Sequence, residues 1–125
     1  MLFAFICLDK PNSADLRLSV RAEHIEYMIA VKDRTVFGGP LLDEAAAASI
    51  GSIFAIEFES YTAARQFIDK EPYTQKGLFA SVQIFPWKQM VPEREEGFLL
   101  AELERQRILA RSAGEIAFGQ EGEVA

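Results

Sequence analysis

The run Leu2-Phe3-Ala4-Phe5-Ile6-Cys7-Leu8 is apolar at every position, and it constrains the fold more than any other feature of the chain. A strand points alternate side chains to opposite faces, so a strand with no polar position needs cover on both. The run is too short to cross a bilayer. It also lacks the basic flank and cleavage pattern of a secretory signal, so the chain is expected to be cytoplasmic, with no membrane partner. Cys7 is the only cysteine, which excludes an intrachain disulfide and a cysteine-rich metal site, and it reads as a small buried hydrophobe.

The strand ends at the turn-prone Asp9-Lys10-Pro11-Asn12-Ser13. Ser13 is placed to cap a helix with Asp15 in its first turn. Leu18, Ala22, Ile25 and Ile29 recur at helical spacing, predicting a helix to about Asp33. Thr35-Val36-Phe37 reads as a short strand followed by a bend at Gly38-Gly39-Pro40. Asp43-Glu44 and the four alanines after them read as a loop, because strand signals flank them. Ile53–Phe58 is a third strand, and Ser60 caps a second helix carrying Ala63, Ala64, Phe67 and Ile68, which stops near Pro72. Phe79–Trp87 alternates as a fourth strand.

This order, β-α-β-β-α-β, is the α+β ferredoxin-like plan with an antiparallel sheet. Two helices cover one face of such a sheet, yet the first strand is apolar on both faces and Phe85 and Trp87 lie on the fourth strand's second face. Each exposed aromatic leaves roughly 150–250 Å² of burial unused. A homodimer in which a second sheet stacks there removes that cost. After Pro92 the composition changes: glutamates, then Phe98, Leu99, Leu100 and Leu103, then arginines, then Gly114, which is a helix signature. The expected division is a domain over 1–91 and an extension over 92–125, with a helix at about 93–113 and a flexible tail from Ala117.

The formal net charge is −6, which disfavours nucleic acid as a partner but leaves a local basic patch free to bind a small anion. His24 is the only imidazole, so any histidine chemistry uses it, and no metal site of several histidines forms within one chain. Arg17, Arg21 and His24 fall along one row of the first helix, beside its apolar stripe, where they can receive a small carboxylate or phenolate. From spacing alone, a satisfied structural histidine is the commoner outcome and a catalytic one the alternative. The turn Asp69-Lys70-Glu71-Pro72-Tyr73 can aim Glu71 and Tyr73 between helices and sheet, although an ordinary polar helix end has the same composition. Ser19 and Ser52 lack a nucleophile elbow, and no phosphate-binding glycine loop is present.

Residues 1–90 resemble the YciI-related (YCII) family nearly throughout. The matching pieces are Leu8-Asp9-Lys10, Arg17-Leu18-Ser19-Val20-Arg21 with His24 following, Gly39-Pro40-Leu41, Gly51-Ser52, Glu57-Phe58-Glu59-Ser60, and Pro72-Tyr73 with Gly77. The resemblance implies a dimeric α+β barrel of ferredoxin-like subunits, with a pocket containing the family histidine. It further implies, for some relatives, cofactor-free elimination or isomerisation of small cyclic compounds by histidine and a carboxylate. On that basis His24 and Glu71 are the expected catalytic pair, and Arg17, Arg21, Tyr73, Gly39 and Pro40 the expected substrate-binding residues, with no metal or cofactor. One departure stands out: the family usually has aspartate before Pro-Tyr, where this chain has Glu71. The competing expectation is a non-catalytic dimer that binds a small ligand or a partner protein. A cofactor-free oxygenase with an aromatic-lined pocket ranks third.

Overall fold

β1 (Leu2–Asp9) takes an inner place in a four-stranded sheet, between β3 (Ser49–Glu57) and β4 (Phe79–Trp87), where an all-apolar strand is shielded. β2 (Thr35–Leu42) forms the other edge, giving the order β2-β3-β1-β4 with every neighbouring pair antiparallel. The computed structural model describes the backbone of residues 1–124 and side chains as far as Gly114. The chain separates into two compact units, Met1–Lys88 and Gln89–Ala125.

In the first unit, α1 (Ala14–Ile29), α2 (Tyr61–Lys70) and the one-turn α3 (Pro72–Gln75) complete an α+β ferredoxin-like arrangement. Phe3, Phe5 and Cys7 of β1 meet Phe54, Ile56 and Ile84 on one sheet face, and α2 adds Ala64, Phe67 and Ile68 to that core. α2 starts where Ser60 accepts the Ala63 N–H at 3.0 Å. Pro72 does not merely end the second helix: it takes the first position of α3, where its fixed φ and missing N–H are tolerated.

Four local expectations are corrected. Gly38-Gly39-Pro40 do not bend the chain but continue β2, pairing with Phe54, Ile53 and Ser52. On an edge strand the proline's missing N–H has no necessary partner, and Gly38 suits a site where a Cβ would lie 3.1 Å from that of Phe54. β3 accordingly begins at Ser49 rather than Ile53. Ser13 precedes α1 without a side-chain cap, its hydroxyl donating to the Pro11 carbonyl instead. α1 ends at Ile29, and a separate 3-10 turn over Lys32–Arg34 leads into β2.

The roll of α1 is a further correction. Leu18 and Ile29, from the apolar stripe, are 73% and 56% exposed. The row beside that stripe faces inward instead: Arg17 and Val20 are buried, His24 is half-buried, and Tyr27 and Met28 pack on the core. On the sheet face away from the helices, Phe85, Ala4, Ala55 and Phe37 lie in one cross-strand row. The small central alanines let the Phe37 and Trp87 rings meet edge-on at 5.7 Å, while Phe85 and Trp87 remain 49% and 43% exposed.

In the second unit, α4 spans Phe98–Val124. Its start lies beyond the expected residue 93 because the Glu93 carboxylate turns back to accept the Gly97 and Leu99 N–H groups at 3.1 and 2.9 Å. These bonds lower the Glu93 pKa, as donors to a carboxylate do. The tail expected from Ala117 falls on residues outside the described side chains. Among the described residues no helix is long and apolar enough to cross a membrane.

Candidate active site

Asp9 stands at the end of β1, and its carboxylate sets the roll of α1. Nη1 of Arg17 donates to both Asp9 oxygens at 2.9 and 2.8 Å, and Nη2 donates to the Ser52 hydroxyl at 2.7 Å. All three side chains are buried. Burial raises the Asp9 pKa, while the Arg17 charge and hydrogen bond oppose that rise. Ser52 reaches Arg17 from β3 beside Gly51, where a Cβ would collide with the Cys7 carbonyl oxygen.

Tyr73 lies between Arg17 and His24. Its ring stacks on the imidazole at 4.2 Å between centroids and 19° between planes, and the Arg17 guanidinium carbon is 4.7 Å from the same ring. Positions 17 and 24 are about 10.5 Å apart along a helix axis, enough to admit one ring between them. Phe79 closes the ring's edge at 5.9 Å. Burial raises the Tyr73 pKa, against the lowering effect of the Arg17 and Arg21 charges.

Glu71 completes the row from below. It is the junction between α2 and α3, fully buried, and both its oxygens are engaged: Oε1 lies 2.7 Å from His24 Nδ1, and Oε2 accepts the Tyr73 N–H at 3.2 Å. A carboxylate only accepts, so Nδ1 carries the proton; in the neutral imidazole Nε2 then holds the lone pair. His24 and Tyr73 line a cavity of about 430 Å³ between α1 and strands β2 and β3, whereas Glu71 is not among its lining residues.

Arg21 and Ser52 lie on the cavity wall near this pair, and the stretch Gly38-Gly39-Pro40 forms its β2 side. Ile25, Met28 and Phe54 supply apolar surface, and Lys32 and Thr35 follow where the 3-10 turn joins β2. No carboxylate lines the cavity, and neither Arg21 nor Lys32 has an ion-pair partner among the described residues. The cavity is therefore cationic in a chain of net charge −6.

The structure thus brings His24, Glu71, Arg17, Arg21, Tyr73, Gly39 and Pro40 to one place. Asp69, the other carboxylate of that turn, pairs with Arg65 at 3.2 Å on the surface and makes no bond to His24. Asp43 organises its own loop by accepting the Ala47 N–H. Cys7 is buried, its thiol pushed up to about 12 by burial and then by the Glu71 and Asp9 charges. Among the described residues there is no cluster of three or more metal-ligating side chains. Asp9, Ser52 and Lys32 received no role from the sequence. For Asp9 a signal was present: one acid ending an all-apolar strand either turns to solvent or finds a buried cation.

A family model for the YCII-related domain matches residues 1–88. Protein YciI of Escherichia coli is 34% identical over 97 residues, covering 72% of this chain and 99% of that protein. An uncharacterized Haemophilus influenzae protein is 29% identical over the same shares. Among solved structures, the 5-chloro-2-hydroxyhydroquinone dehydrochlorinase of Burkholderia phenoliruptrix, in complex with 2,5-dihydroxybenzoquinone, has a TM-score of 0.69 and 31% identity. That comparison covers 72% of this chain and 96% of the other.

Proposed function

The chain belongs to the YCII-related family, and from that premise we propose that it is a lyase or isomerase acting on a small cyclic, anionic metabolite. The observation that carries this reading is the 2.7 Å contact between His24 Nδ1 and a fully buried Glu71, which leaves Nε2 as the base at the cavity. Nε2 takes a proton from a ring C–H or O–H of the substrate, and the released electron pair moves into the ring. In a lyase that pair expels an anionic leaving group, and the imidazolium then returns its proton to water. In an isomerase the imidazolium reprotonates the ring at another atom. Glu71 holds the imidazole and stabilises its cation, and Arg21 offsets negative charge developing on ring oxygen. Tyr73, Gly39 and Pro40 shape the space around the ring. Arg17, bonded to Asp9 and Ser52, holds Tyr73 and adds its charge to the cavity wall. The scheme uses no metal or other cofactor.

The similarity to a dehydrochlorinase makes chlorinated hydroxyphenols the first compounds to try. Halide release and thermal shift are measured for the wild type and His24→Ala. The expected result is turnover in the wild type and its loss, by roughly 10² or more, in the variant. Equal thermal shifts in both proteins remove His24 from the site and leave a binding module.

The exposed Phe85 and Trp87 face supports a homodimer in which two sheets stack, as ferredoxin-like subunits do in dimeric α+β barrels. Light scattering at micromolar concentration tests it, and a monodisperse monomer refutes it.

A further inference from the structure

We propose that the cavity is built for a ring compound bearing a second acidic group on a short apolar arm, and that Lys32 receives that group. The inference rests on the reading of the cavity as the ligand site and specifies which ligands fit it. The wall is graded from one end to the other. At the His24 end stand Arg21, Ser52 and the Tyr73 ring, a polar setting for an ionisable ring oxygen. Ile25 and Met28 follow on the same face of α1, with Phe54 opposite on β3, and none of these three offers a strong polar partner. Met28 lies about 6 Å along the helix axis from His24, one turn on. Lys32 comes next, past the end of α1, with the Thr35 residue beside it on the wall.

A simple phenol fills only the first of these regions. The cavity, at about 430 Å³, falls within the usual range of small-molecule sites and exceeds what one ring needs. Lys32 has no ion-pair partner among the described residues, and no carboxylate shares the cavity wall with it. A lysine so placed suits a carboxylate as a point charge, and the apolar stretch before it suits a short hydrocarbon arm. Charge complementarity of this kind sets selectivity between ligands that share the same ring.

The test compares 3-(4-hydroxyphenyl)propanoate with its methyl ester by calorimetry on the wild type, Lys32→Met and Lys32→Arg, each checked for an unchanged melting temperature. The expected result is that the wild type prefers the acid by roughly two- to fivefold, the scale of one partly solvated charge contact. Lys32→Met abolishes the preference by weakening the acid alone, and Lys32→Arg retains it. Equal binding of acid and ester by the wild type, or a preference that survives in Lys32→Met, overturns the Lys32 assignment and leaves the His24 chemistry standing. Binding of neither probe overturns the ring-site reading and this inference with it.

Discussion

Replacing Glu71 with glutamine changes a proton acceptor while keeping nearly every atom in place. The carboxylate makes two bonds, one to His24 Nδ1 and one from the Tyr73 N–H. Glutamine has one oxygen and one NH₂, so its best arrangement gives the oxygen to the Tyr73 N–H and turns the NH₂ toward Nδ1. The imidazole then has to accept at Nδ1, and its proton moves to Nε2. The Tyr73 N–H and one amide N–H stay paired, the second amide N–H gains no partner, and the energetic terms oppose one another. A bond to a charged group, about 1.5–3 kcal/mol, becomes a neutral one near 1 kcal/mol, but the cost of burying a carboxylate disappears. Stability to urea should therefore change by only about 1 kcal/mol in either direction. Glu71→Ala, which loses both bonds and opens a void, should cost roughly 3–4 kcal/mol. Activity should fall far more than stability in Glu71→Gln, by roughly 10⁴, the scale on which a wrong tautomer disables a Ser-His-Asp triad. The tautomer is directly visible: His24 is the only imidazole, so a ¹⁵N–¹H spectrum at about pH 9 shows one pair of ring nitrogens. The wild type should be protonated at Nδ1 and the variant at Nε2. The same tautomer in both proteins would refute the argument.

Arg17→Met leaves Asp9 buried beside an apolar side chain and should cost about 3–5 kcal/mol in urea unfolding; a loss below about 1 kcal/mol contradicts a buried pair. Since burial already raises the Asp9 pKa, the native state holds that proton more tightly than the unfolded chain does. This contribution to stability is complete below the unfolded pKa and declines as pH rises through the folded one, so the variant should recover most in acid. Gly51→Ala drives a methyl into the Cys7 carbonyl and should destabilise by about 2 kcal/mol or more, whereas Gly39→Ala, with nothing within 4 Å of the added carbon, should stay within about 0.5 kcal/mol. Similar melting temperatures for the two variants would contradict the packing. The Cys7 thiol, with its pKa near 12, should react with a thiol reagent at pH 8 only as fast as the domain opens. A rate independent of added denaturant would mean that Cys7 is reached in the native state.

The amino-acid sequence alone determined the order of the main elements, the two apolar faces of the strand at residues 2–8, the Ser60 cap and the limits of Phe79–Trp87. These follow from alternation, capping and turn chemistry, which act over a few residues. It also restricted histidine chemistry to His24, because no other imidazole exists. The roll of α1 was not local information. Spacing marks Leu18, Ala22, Ile25 and Ile29 as one stripe, but the helix turns Arg17, Val20, His24 and Tyr27 inward instead. That choice depends on Asp9 being buried at a strand end and Glu71 at a helix junction, partners 8 and 47 residues away from Arg17 and His24. The same holds for Gly38-Gly39-Pro40, which a local reading bends and an edge-strand position extends. Lys32 became part of the site only when the turn after α1 brought it to the end of the His24 cavity. Propensity and pattern belong to neighbouring residues, whereas a buried ion pair or a cavity wall belongs to segments that meet only when the chain has folded.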